Sequence, residues 1–381
     1  MRKICIVTGS RAEWGLLSRL AGLIAADPDL KLQIIATNMH LSPEFGLTYK
    51  EIERAGFIID KKVEMLLSSD TANATTKSAG LGMIGFADAY EDLKPDLLLV
   101  LGDRYEILAA VTAALFYKIP VAHLHGGEIT EGAYDDAIRH AITKMSHLHF
   151  TSTEEYRKRV IQLGESPERV FYTGAIGIDN IKNLKLLSKE ELESSLGFAI
   201  EGKTILVTYH PVTLDDVSAE KQINNLLKAL AEIPELRIVF TLPNSDTDGR
   251  IIIQKISEFV AKNKKHSIAL PSLGQLRYLS ALQYIDAVVG NSSSGILEVP
   301  SFGKPTLNIG SRQKGRIAAE SVVNCGTGKE EIKLGLEKVL SETVPFSFDN
   351  PYEKIGTADQ IFRVIKSYPL SDLIRKSFYN I

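Results

Sequence analysis

The sequence has little of what marks disulfide-rich, metal-binding or membrane proteins. Only two of its 381 residues are cysteines, Cys5 and Cys325, and neither lies in a CxxC or Cys/His ligand spacing. This favours reduced thiols in a cytoplasmic protein over a disulfide framework or a metal site. No stretch approaches the ~20 apolar residues of a membrane span. The first apolar run, Ile4 to Val7, is too short for a secretory signal, so we expect neither a leader nor a membrane partner.

A surplus of basic residues is also missing. The chain has 44 Lys and Arg against 47 Asp and Glu, a formal net charge of −3. General binders of nucleic acid or of anionic membranes carry a basic surplus, so neither is expected as a partner. A local basic pocket for a phosphate group remains compatible with this balance.

What the chain does contain is a regular alternation of short apolar runs and longer amphipathic stretches. The apolar runs are Lys3–Thr8, Leu32–Thr37, Leu97–Gly102, Pro120–His125, Leu148–Ser152, Thr204–Tyr209, Arg237–Leu242, Ile268–Leu270, Ala287–Gly290 and Pro305–Ile309. They are continuous rather than alternating, which is typical of parallel strands covered by helices on both faces. The stretches between them have helical periodicity. The pattern therefore predicts a doubly wound α/β architecture.

The alternation pauses once, over residues 174–203, where a turn is followed by a polar helix. The chain also exceeds the roughly 250–300 residues that one core usually supports. We predict an N-terminal Rossmann-like domain at 1–175, a linker region at 176–203, a C-terminal Rossmann-like domain at 204–368 and a tail at 369–381. Ligands bind at the carboxyl ends of such strands, so the cleft between the domains is the expected site.

Two polar loops follow predicted strands in the first half. The loop 8–13, Thr-Gly-Ser-Arg-Ala-Glu, feeds a helix start that can offer backbone N–H groups to an anion. Arg11 adds a guanidinium suited to phosphate, although the loop is not a GxGxxG motif. Asp103 and Arg104 follow the Leu97–Gly102 run in the same way.

The third loop is the richest in titratable groups. His123–Glu128 contains two histidines, a glycine pair and a glutamate, and Asp135 and Asp136 follow. Strand alternation would put His123 and His125 on one side, with His123 deeper and more typical of a core histidine. Asp136 shares a helix face with the Arg and His three and four positions later. Such a group favours acid–base chemistry over a metal site.

Three polar segments follow strands in the second half. They are Tyr209-His210-Pro211, then the Asn-Ser-Ser-Ser-Gly run at 291–295 with Glu298, and the basic loop 311–316. Hydroxyls and N–H groups at a strand-to-helix turn can hold a diphosphate, and a following glutamate can accept from ribose hydroxyls. A single N-cap would need only one serine. We therefore expect an anion site here.

Taken in order, these motifs resemble the UDP-N-acetylglucosamine 2-epimerase family, which has the GT-B fold, and most closely its hydrolysing branch. The resemblance covers nearly the whole chain. It rests on VTGSRAEWG at 7–15, LGDRYEI at 101–107, the run from HLHGGE to SHLH at 123–149, YHPVT at 209–213, PNSDTDG at 243–249, GNSSSG to QKGR at 290–316, and NPY at 350–352. The non-hydrolysing branch has HVEAGLR in place of HLHGGEI.

The resemblance implies roles for individual residues. Positions matching the family's UDP-binding residues are Arg11, His210, Asn244, Ser292, Ser293, Glu298 and Arg312, and Arg104 belongs to the same substrate site. Positions matching its acid–base carboxylates are Asp103, Glu128 and one of Asp135 and Asp136. Some hydrolysing relatives have glutamate where this chain has His125, so His125 or Glu128 holds the second carboxylate role.

The implied reaction removes the C2 proton while UDP leaves C1, and then hydrates the resulting 2-acetamidoglucal. The products are N-acetylmannosamine and UDP, which would feed the synthesis of sialic-type acids. The resemblance also implies a UDP-sugar partner and a homo-oligomer, either a dimer or a tetramer. It implies neither a cofactor nor a metal.

Four alternatives stay open at this point. The same chemistry could act on a UDP- or GDP-linked 2,4-diacetamido-2,4,6-trideoxy sugar. A non-hydrolysing 2-epimerase would keep the product linked to UDP. A GT-B glycosyltransferase would share the nucleotide cradle without needing the carboxylate cluster. A non-catalytic nucleotide-sugar sensor would bind without turnover.

Overall fold

The computed structural model describes residues 1–131, 133–212, 217–243, 248–341 and 345–381, without the side chains of 180, 182 and 183. The chain divides into two compact units. The first comprises Met1–Glu128, Asp135–Asn180 and Tyr352–Ile381; the second comprises Ile129–Tyr134 and Ile181–Pro351.

The first unit is built on a seven-stranded parallel sheet. Its strands are β1 (Arg2–Thr8), β2 (Leu30–Thr37), β3 (Lys61–Val63), β4 (Leu97–Leu101), β5 (Val121–Leu124), β6 (Leu148–Thr151) and β7 (Val170–Tyr172). They lie in the order β3-β2-β1-β4-β5-β6-β7. The helices are α1 (Arg11–Ala26), α2 (Tyr49–Arg54), α3 (Ala72–Leu93), α4 (Tyr105–Phe116), α5 (Asp135–Met145), α6 (Glu154–Gln162) and α7 (Ile176–Asn183).

Strand β1 shows why its sequence folds this way. Ile4 and Ile6 are fully buried in a core that includes α1, whereas Cys5 and Val7 point into a second core with α3 and α4. Alternate side chains thus fill opposite faces, which requires a continuous apolar run. The predicted buried strand is confirmed.

The second unit repeats this plan with a six-stranded parallel sheet. Its strands are β8 (Thr204–Thr208), β9 (Arg237–Thr241), β10 (Ser267–Leu270), β11 (Ala287–Gly290), β12 (Thr306–Ile309) and β13 (Val322–Cys325), in the order β10-β9-β8-β11-β12-β13. Its helices are α8 (Lys189–Leu196), α9 (Ala219–Leu230), α10 (Gly249–Lys262), α11 (Gly274–Tyr284), α12 (Ser294–Leu297) and α13 (Lys329–Val339). The last helix, α14 (Thr357–Ser367), belongs to the first unit.

Both sheets confirm the predicted doubly wound α/β class, and all ten predicted strands are present. Three further strands, β3, β7 and β13, were not predicted. Each lies at the edge of its sheet. An edge strand pairs on one side only and need not be apolar on both faces, so its sequence lacks the continuous apolar run.

The chain beyond Pro351 differs from the predicted domain limits. The prediction assigned 204–368 to the second domain and 369–381 to a separate tail, but residues 352–381 belong to the first unit. The reason is packing: Ala358, Ile361 and Ile365 of α14 are buried in the core that contains α1. The chain therefore returns to its first unit after completing the second.

Both cysteines are free thiols, and burial raises the pKa of Cys5 well above its ordinary range. Among the described residues, no helix has the length and apolar character needed to cross a membrane.

Candidate active site

The first sheet reverses its winding between β1 and β4, and this switch point is where α/β sheets bind ligands. Arg11 begins α1 directly after the loop that follows β1, and the loop after β4 carries Asp103 and Arg104. The two strands are directly paired, so these three predicted residues share the carboxyl edge of the first sheet.

Asp103 forms an ion pair with a buried arginine, Arg139. The Nη2 atom of Arg139, a residue of α5, forms an ion pair with Asp103 Oδ2. The Arg139 side chain is only 2% exposed, whereas that of Asp103 is 22% exposed. Asp103 therefore has a fixed orientation and a face that remains open to a ligand.

His123 supports the same loop. Its Nε2 atom lies 2.7 Å from the carbonyl oxygen of Gly102, and its Nδ1 atom lies 3.2 Å from Thr143 Oγ1. Burial is the main cause that lowers the pKa of His123 to about 3. The ring is therefore neutral and structural, in agreement with the expectation of a core histidine.

His125 lies beyond the end of β5 and has a left-handed backbone, with φ of 64°. Strand β5 ends at Leu124, so the strand alternation used to predict that His125 shares a side with His123 does not extend to it. Its Nδ1 atom lies 2.9 Å from Glu128 Oε1, and its Nε2 atom accepts from the Ile176 N–H at 3.3 Å. Because Nε2 is the acceptor, the ring proton belongs on Nδ1, facing Glu128.

Glu128 is buried, with a side chain only 2% exposed. Its Oε1 atom accepts from Ser152 Oγ at 2.7 Å as well as from His125. The preceding residue, Gly127, has φ of 78°, and a Cβ there would lie 2.5 Å from the Tyr156 carbonyl oxygen. Only glycine fits, and it turns Glu128 back toward His125 and Ser152.

Ser152 was not among the predicted site residues. It follows β6 directly and so reaches the same sheet edge as Glu128. The signal was its position after a strand, which was the criterion applied to the other loops.

The first turns of α5 carry the remaining predicted acid–base groups. Asp135 begins the helix, and Asp136 lies 3.6 Å from Arg139 Nη1 and 3.5 Å from His140 Nε2. The predicted shared face of Asp136, Arg139 and His140 is thus confirmed. Burial is the main cause that lowers the pKa of His140, and Asp136 opposes it.

The two predicted arginines of this unit are paired with carboxylates. Arg11 Nε lies 2.6 Å from Glu51 Oε2, and Arg104 Nε lies 2.7 Å from Glu106 Oε1. Glu51 and Glu106 were not predicted site residues, although Glu106 lies within the quoted LGDRYEI motif. These pairs limit the orientations that each guanidinium can adopt.

The second sheet has its own switch point between β8 and β11. His210 N–H donates to Asn291 Oδ1 at 2.7 Å, and Asn291 Nδ2 donates to the His210 carbonyl at 2.8 Å. This reciprocal pair locks together the two loops that follow the strands. Asn291 was not a predicted site residue.

The basic loop after β12 reaches the same place. Arg312 Nη1 and Gln313 Nε2 both donate to the Asn291 carbonyl, at 3.3 and 2.8 Å. Ser292 and Ser293 immediately follow Asn291, so four predicted residues, His210, Ser292, Ser293 and Arg312, gather at this edge. The predicted residue Asn244 lies outside the described residues.

The helix expected to start at this serine run is short. Helix α12 covers only Ser294–Leu297 and is followed by a 3₁₀ turn at Val299–Phe302. A one-turn helix has a small dipole, so the expected contribution from a helix N-terminus is weak here. Glu298 comes directly after α12, and its charge adds to burial in raising the pKa of Tyr278.

The other basic residues of the 311–316 loop have partners within their own unit. Lys314 Nζ lies 3.1 Å from Glu131 Oε2, and Arg316 Nη2 lies 3.4 Å from Thr130 Oγ1. Arg312 is therefore a basic residue of this loop that, with the neutral Gln313, contacts the Asn291 carbonyl next to the serine run. Within the described part of the chain, no three His, Cys, Asp or Glu side chains are grouped to hold a metal ion.

Two Rossmann-ordered parallel sheets define an α/β protein of GT-B type. A UDP-GlcNAc 2-epimerase structure from Neisseria meningitidis bound to UDP-GlcNAc has this fold, with a TM-score of 0.79 at 20% identity, covering 96% of this chain and 99% of that chain.

Comparison of sequences identifies the family to which the chain belongs. Residues 23–366 match the family described as UDP-N-acetylglucosamine 2-epimerase. The hydrolysing GDP/UDP-N,N'-diacetylbacillosamine 2-epimerase of Campylobacter jejuni is 48% identical over 323 residues, 85% of this chain and 84% of that protein. Polysialic acid biosynthesis protein P7 of Escherichia coli is 39% identical, covering 100% of this chain and 98% of that protein. The chain therefore belongs to the UDP-N-acetylglucosamine 2-epimerase family.

Proposed function

We propose that this protein is a hydrolysing 2-epimerase that acts on a UDP-linked 2-acetamido sugar and releases the free 2-epimer and UDP. The observation that carries the proposal is the group of titratable side chains on the carboxyl edge of the first sheet. There Arg139 holds Asp103, and Glu128 holds His125. A module that only binds a nucleotide sugar does not require such a group.

The reaction has two proton-transfer steps. In the first, a base removes the C2 proton, the C1–O bond breaks, and UDP leaves with the electron pair to give a 2-acetamidoglucal. In the second, water adds its oxygen to C1, and a proton enters C2 from the opposite face. The first step needs a base for the C2 proton, and the second needs an acid that protonates C2 and a base that takes a proton from the attacking water.

Asp103 is the first such group in this proposal, since it is oriented by Arg139 and partly exposed. The second is the His125–Glu128 pair acting together. Glu128 is too buried to reach a sugar, but it can orient His125 and stabilise its imidazolium form, as carboxylates do beside catalytic histidines. When Nε2 takes up a proton it can no longer accept the 3.3 Å hydrogen bond from the Ile176 N–H, so that bond would be lost.

Departure of UDP needs positive charge and hydrogen-bond donors at the diphosphate, since the C2 proton is only weakly acidic. Arg312, His210 and the hydroxyls of Ser292 and Ser293 supply these on the second sheet. Arg11 and Arg104 supply them on the first. Preorganised donors of this kind usually provide a large share of the rate. Elimination followed by hydration involves no net oxidation or reduction, so the proposal includes no cofactor.

The sugar is proposed from similarity. The relative at 48% identity is named for N,N'-diacetylbacillosamine, a 2,4-diacetamido-2,4,6-trideoxy sugar, and we propose a nucleotide-linked sugar of this class as substrate. UDP-GlcNAc is the second candidate, because the family description names it. The polysialic acid relative supports a place in acidic-sugar synthesis for either product.

Product analysis tests the reaction. Incubation with each UDP-sugar should give free 2-epimer and UDP by NMR, whereas a nucleotide-linked epimer would contradict the hydrolytic step. Asp103→Asn should lower kcat by about 10³-fold while UDP affinity stays within about twofold. A matched control is Glu155→Gln, an exposed position on α6.

Substrate choice is tested by the ratio of kcat/KM values. A site built to bind a second acetamido group should prefer the diacetamido sugar over UDP-GlcNAc by at least about 100-fold. The opposite ratio would make UDP-GlcNAc the substrate.

A further inference from the structure

Two buried glutamates meet at Gly9, in the loop between β1 and α1. The Gly9 N–H donates to Glu13 Oε2 at 2.5 Å. A Cβ on Gly9 would lie 2.5 Å from Glu106 Oε1, so Glu106 presses against the same residue. Glu13 is 6% exposed and Glu106 is 0% exposed. The loop is thus enclosed by two carboxyl groups from α1 and α4.

The oxygens of Glu106 have unequal surroundings. Oε1 pairs with Arg104 Nε at 2.7 Å, whereas Oε2 is buried with no hydrogen-bond partner among the described residues. A buried carboxylate oxygen without a donor is costly, since buried polar atoms are nearly always satisfied. A proton on the neighbouring carboxyl would supply the donor.

We propose that Glu13 and Glu106 share one proton, and that the pair is a positioning device that aims Arg104 at the substrate. In this arrangement the Glu13 hydroxyl donates to Glu106 Oε2, and Glu106 remains the anion that holds Arg104 through Oε1. Neither residue contacts the sugar. The effect on catalysis rests on the proposed function, whereas the shared proton does not.

The surroundings of Glu13 support one shared proton. Burial is the largest cause that raises the pKa of Glu13 to about 8, and the charge of Glu106 adds to it. The Gly9 N–H, Thr8 and the Arg104 charge act in the opposite direction and are too weak to restore the ordinary value. Both carboxyl groups are buried against Gly9, and like charges placed together in a buried site disfavour ionisation of both at neutral pH.

The other titratable groups near the loop do not supply that proton. His40 contacts Thr8 Oγ1 at 3.1 Å, and burial lowers its pKa to about 4, so it is neutral at pH 7. Arg11 is paired with Glu51. Loss of the Glu13 proton near pH 8 would therefore place two anions against Gly9 and displace Glu106 from Arg104.

The first test needs no substrate. An acid whose pKa is raised in the folded state binds more protons folded than unfolded, so its contribution to stability falls as pH rises from about 4.3 to about 8. The Tm of the wild type should fall over this range relative to Glu13→Gln, because the amide can donate to Glu106 at every pH. The control Glu155→Gln should follow the wild type. Parallel Tm curves for wild type and Glu13→Gln would overturn the shared proton.

The second test is kinetic. The kcat/KM of the wild type should decline above about pH 8, and Glu13→Gln should remove that decline. Glu106→Gln should lower kcat/KM by about 100-fold through loss of Arg104 alignment, and Glu106→Asp should recover about tenfold of it. An unchanged alkaline decline in Glu13→Gln would overturn the positioning role even if the Tm result held.

Glu106→Gln also provides an independent measurement if Glu13→Gln does not fold. Removing the neighbouring charge lowers the pKa of Glu13, so the fall in Tm should move to lower pH. A Tm profile identical to that of the wild type would contradict the proposal. If every UDP-sugar failed as substrate while the Tm results held, the proposed function would fail and the proton-sharing pair would stand.

Discussion

Arg139 of α5 is almost completely buried, and its guanidinium ion-pairs with Asp103 through Nη2 while Nη1 donates to the Glu128 carbonyl at 3.0 Å. One side chain thus connects the loop after β4 with the loop after β5. Because both loops carry groups proposed for proton transfer, Arg139 sets the geometry of both without itself being exposed to substrate.

Arg139→Gln should therefore reduce both stability and activity. Removing the buried member of this ion pair costs about 2 kcal/mol, since the remaining carboxylate of Asp103 is 22% exposed and keeps part of its hydration. Urea unfolding would measure the free energy of unfolding, and kcat should fall by about 100-fold as Asp103 loses its orientation. The control Lys158→Gln, at an exposed position of α6, should change neither. Normal kcat in Arg139→Gln would show that Asp103 needs no such support.

His125 and Glu128 should behave as one unit. Each of His125→Gln and Glu128→Gln should lower kcat by about 10²–10³-fold, because each removes the same proton-transfer group. The double variant should then be no slower than the slower single variant, as groups that act together are strongly non-additive. Losses that multiply in the double variant would show that the two residues act independently.

Arg312 should matter for nucleotide affinity rather than for proton transfer. Arg312→Ala should weaken UDP binding by about tenfold, roughly 1.4 kcal/mol, because a charge-assisted contact to the diphosphate is lost. Isothermal titration with UDP measures this directly. The control Lys264→Ala, an exposed cation after α10, should bind UDP normally. Unchanged affinity in Arg312→Ala would place the diphosphate elsewhere.

The C-terminal segment should contribute measurably to stability. Lys376 Nζ, together with Lys144 and His149, surrounds the buried carboxylate of Glu165. Burial opposes ionisation of Glu165, but these donors outweigh it and lower its pKa to about 2. Lys376→Met should therefore reduce the free energy of unfolding by about 2 kcal/mol at pH 7.

The effect of Lys376→Met should depend on pH. A lowered pKa contributes stability that is complete above the unfolded value of about 4.3 and is lost as pH falls toward 2. Unfolding at pH 7 and at pH 3 should therefore show a smaller difference between variant and wild type at the lower pH. An equal difference at both would mean that the ion pair with Glu165 is not its source.

The sequence predicted the sheets well because buried parallel strands must be apolar on both faces. Strand β4, for example, is an unbroken run that is buried along its whole length. The edge strands carry no such requirement, and the return of α14 to the first unit depends on long-range packing that a local pattern does not encode. The strand-end criterion selected Asp103, Glu128, His210 and Arg312 as candidates, and the structure places each of them after a strand, at the edge where ligands bind in this architecture.

The side chains that support those residues were harder to predict. Four side chains contact the predicted residues and orient them: Arg139, Ser152, Asn291 and Glu106. Their roles depend on distances in the folded structure, which the spacing along the chain does not give. The left-handed backbone at His125 is a similar case, since a non-glycine residue at positive φ is uncommon and breaks the strand alternation used to place it.

The most direct measurement is the reaction in D2O, followed by NMR, with the UDP-linked diacetamido sugar and with UDP-GlcNAc. Free 2-epimer carrying deuterium at C2, together with UDP released in equal amount, is the predicted result, because the C2 proton is removed and replaced from solvent. Product that keeps protium at C2, or that stays linked to UDP, would contradict the elimination and hydration route.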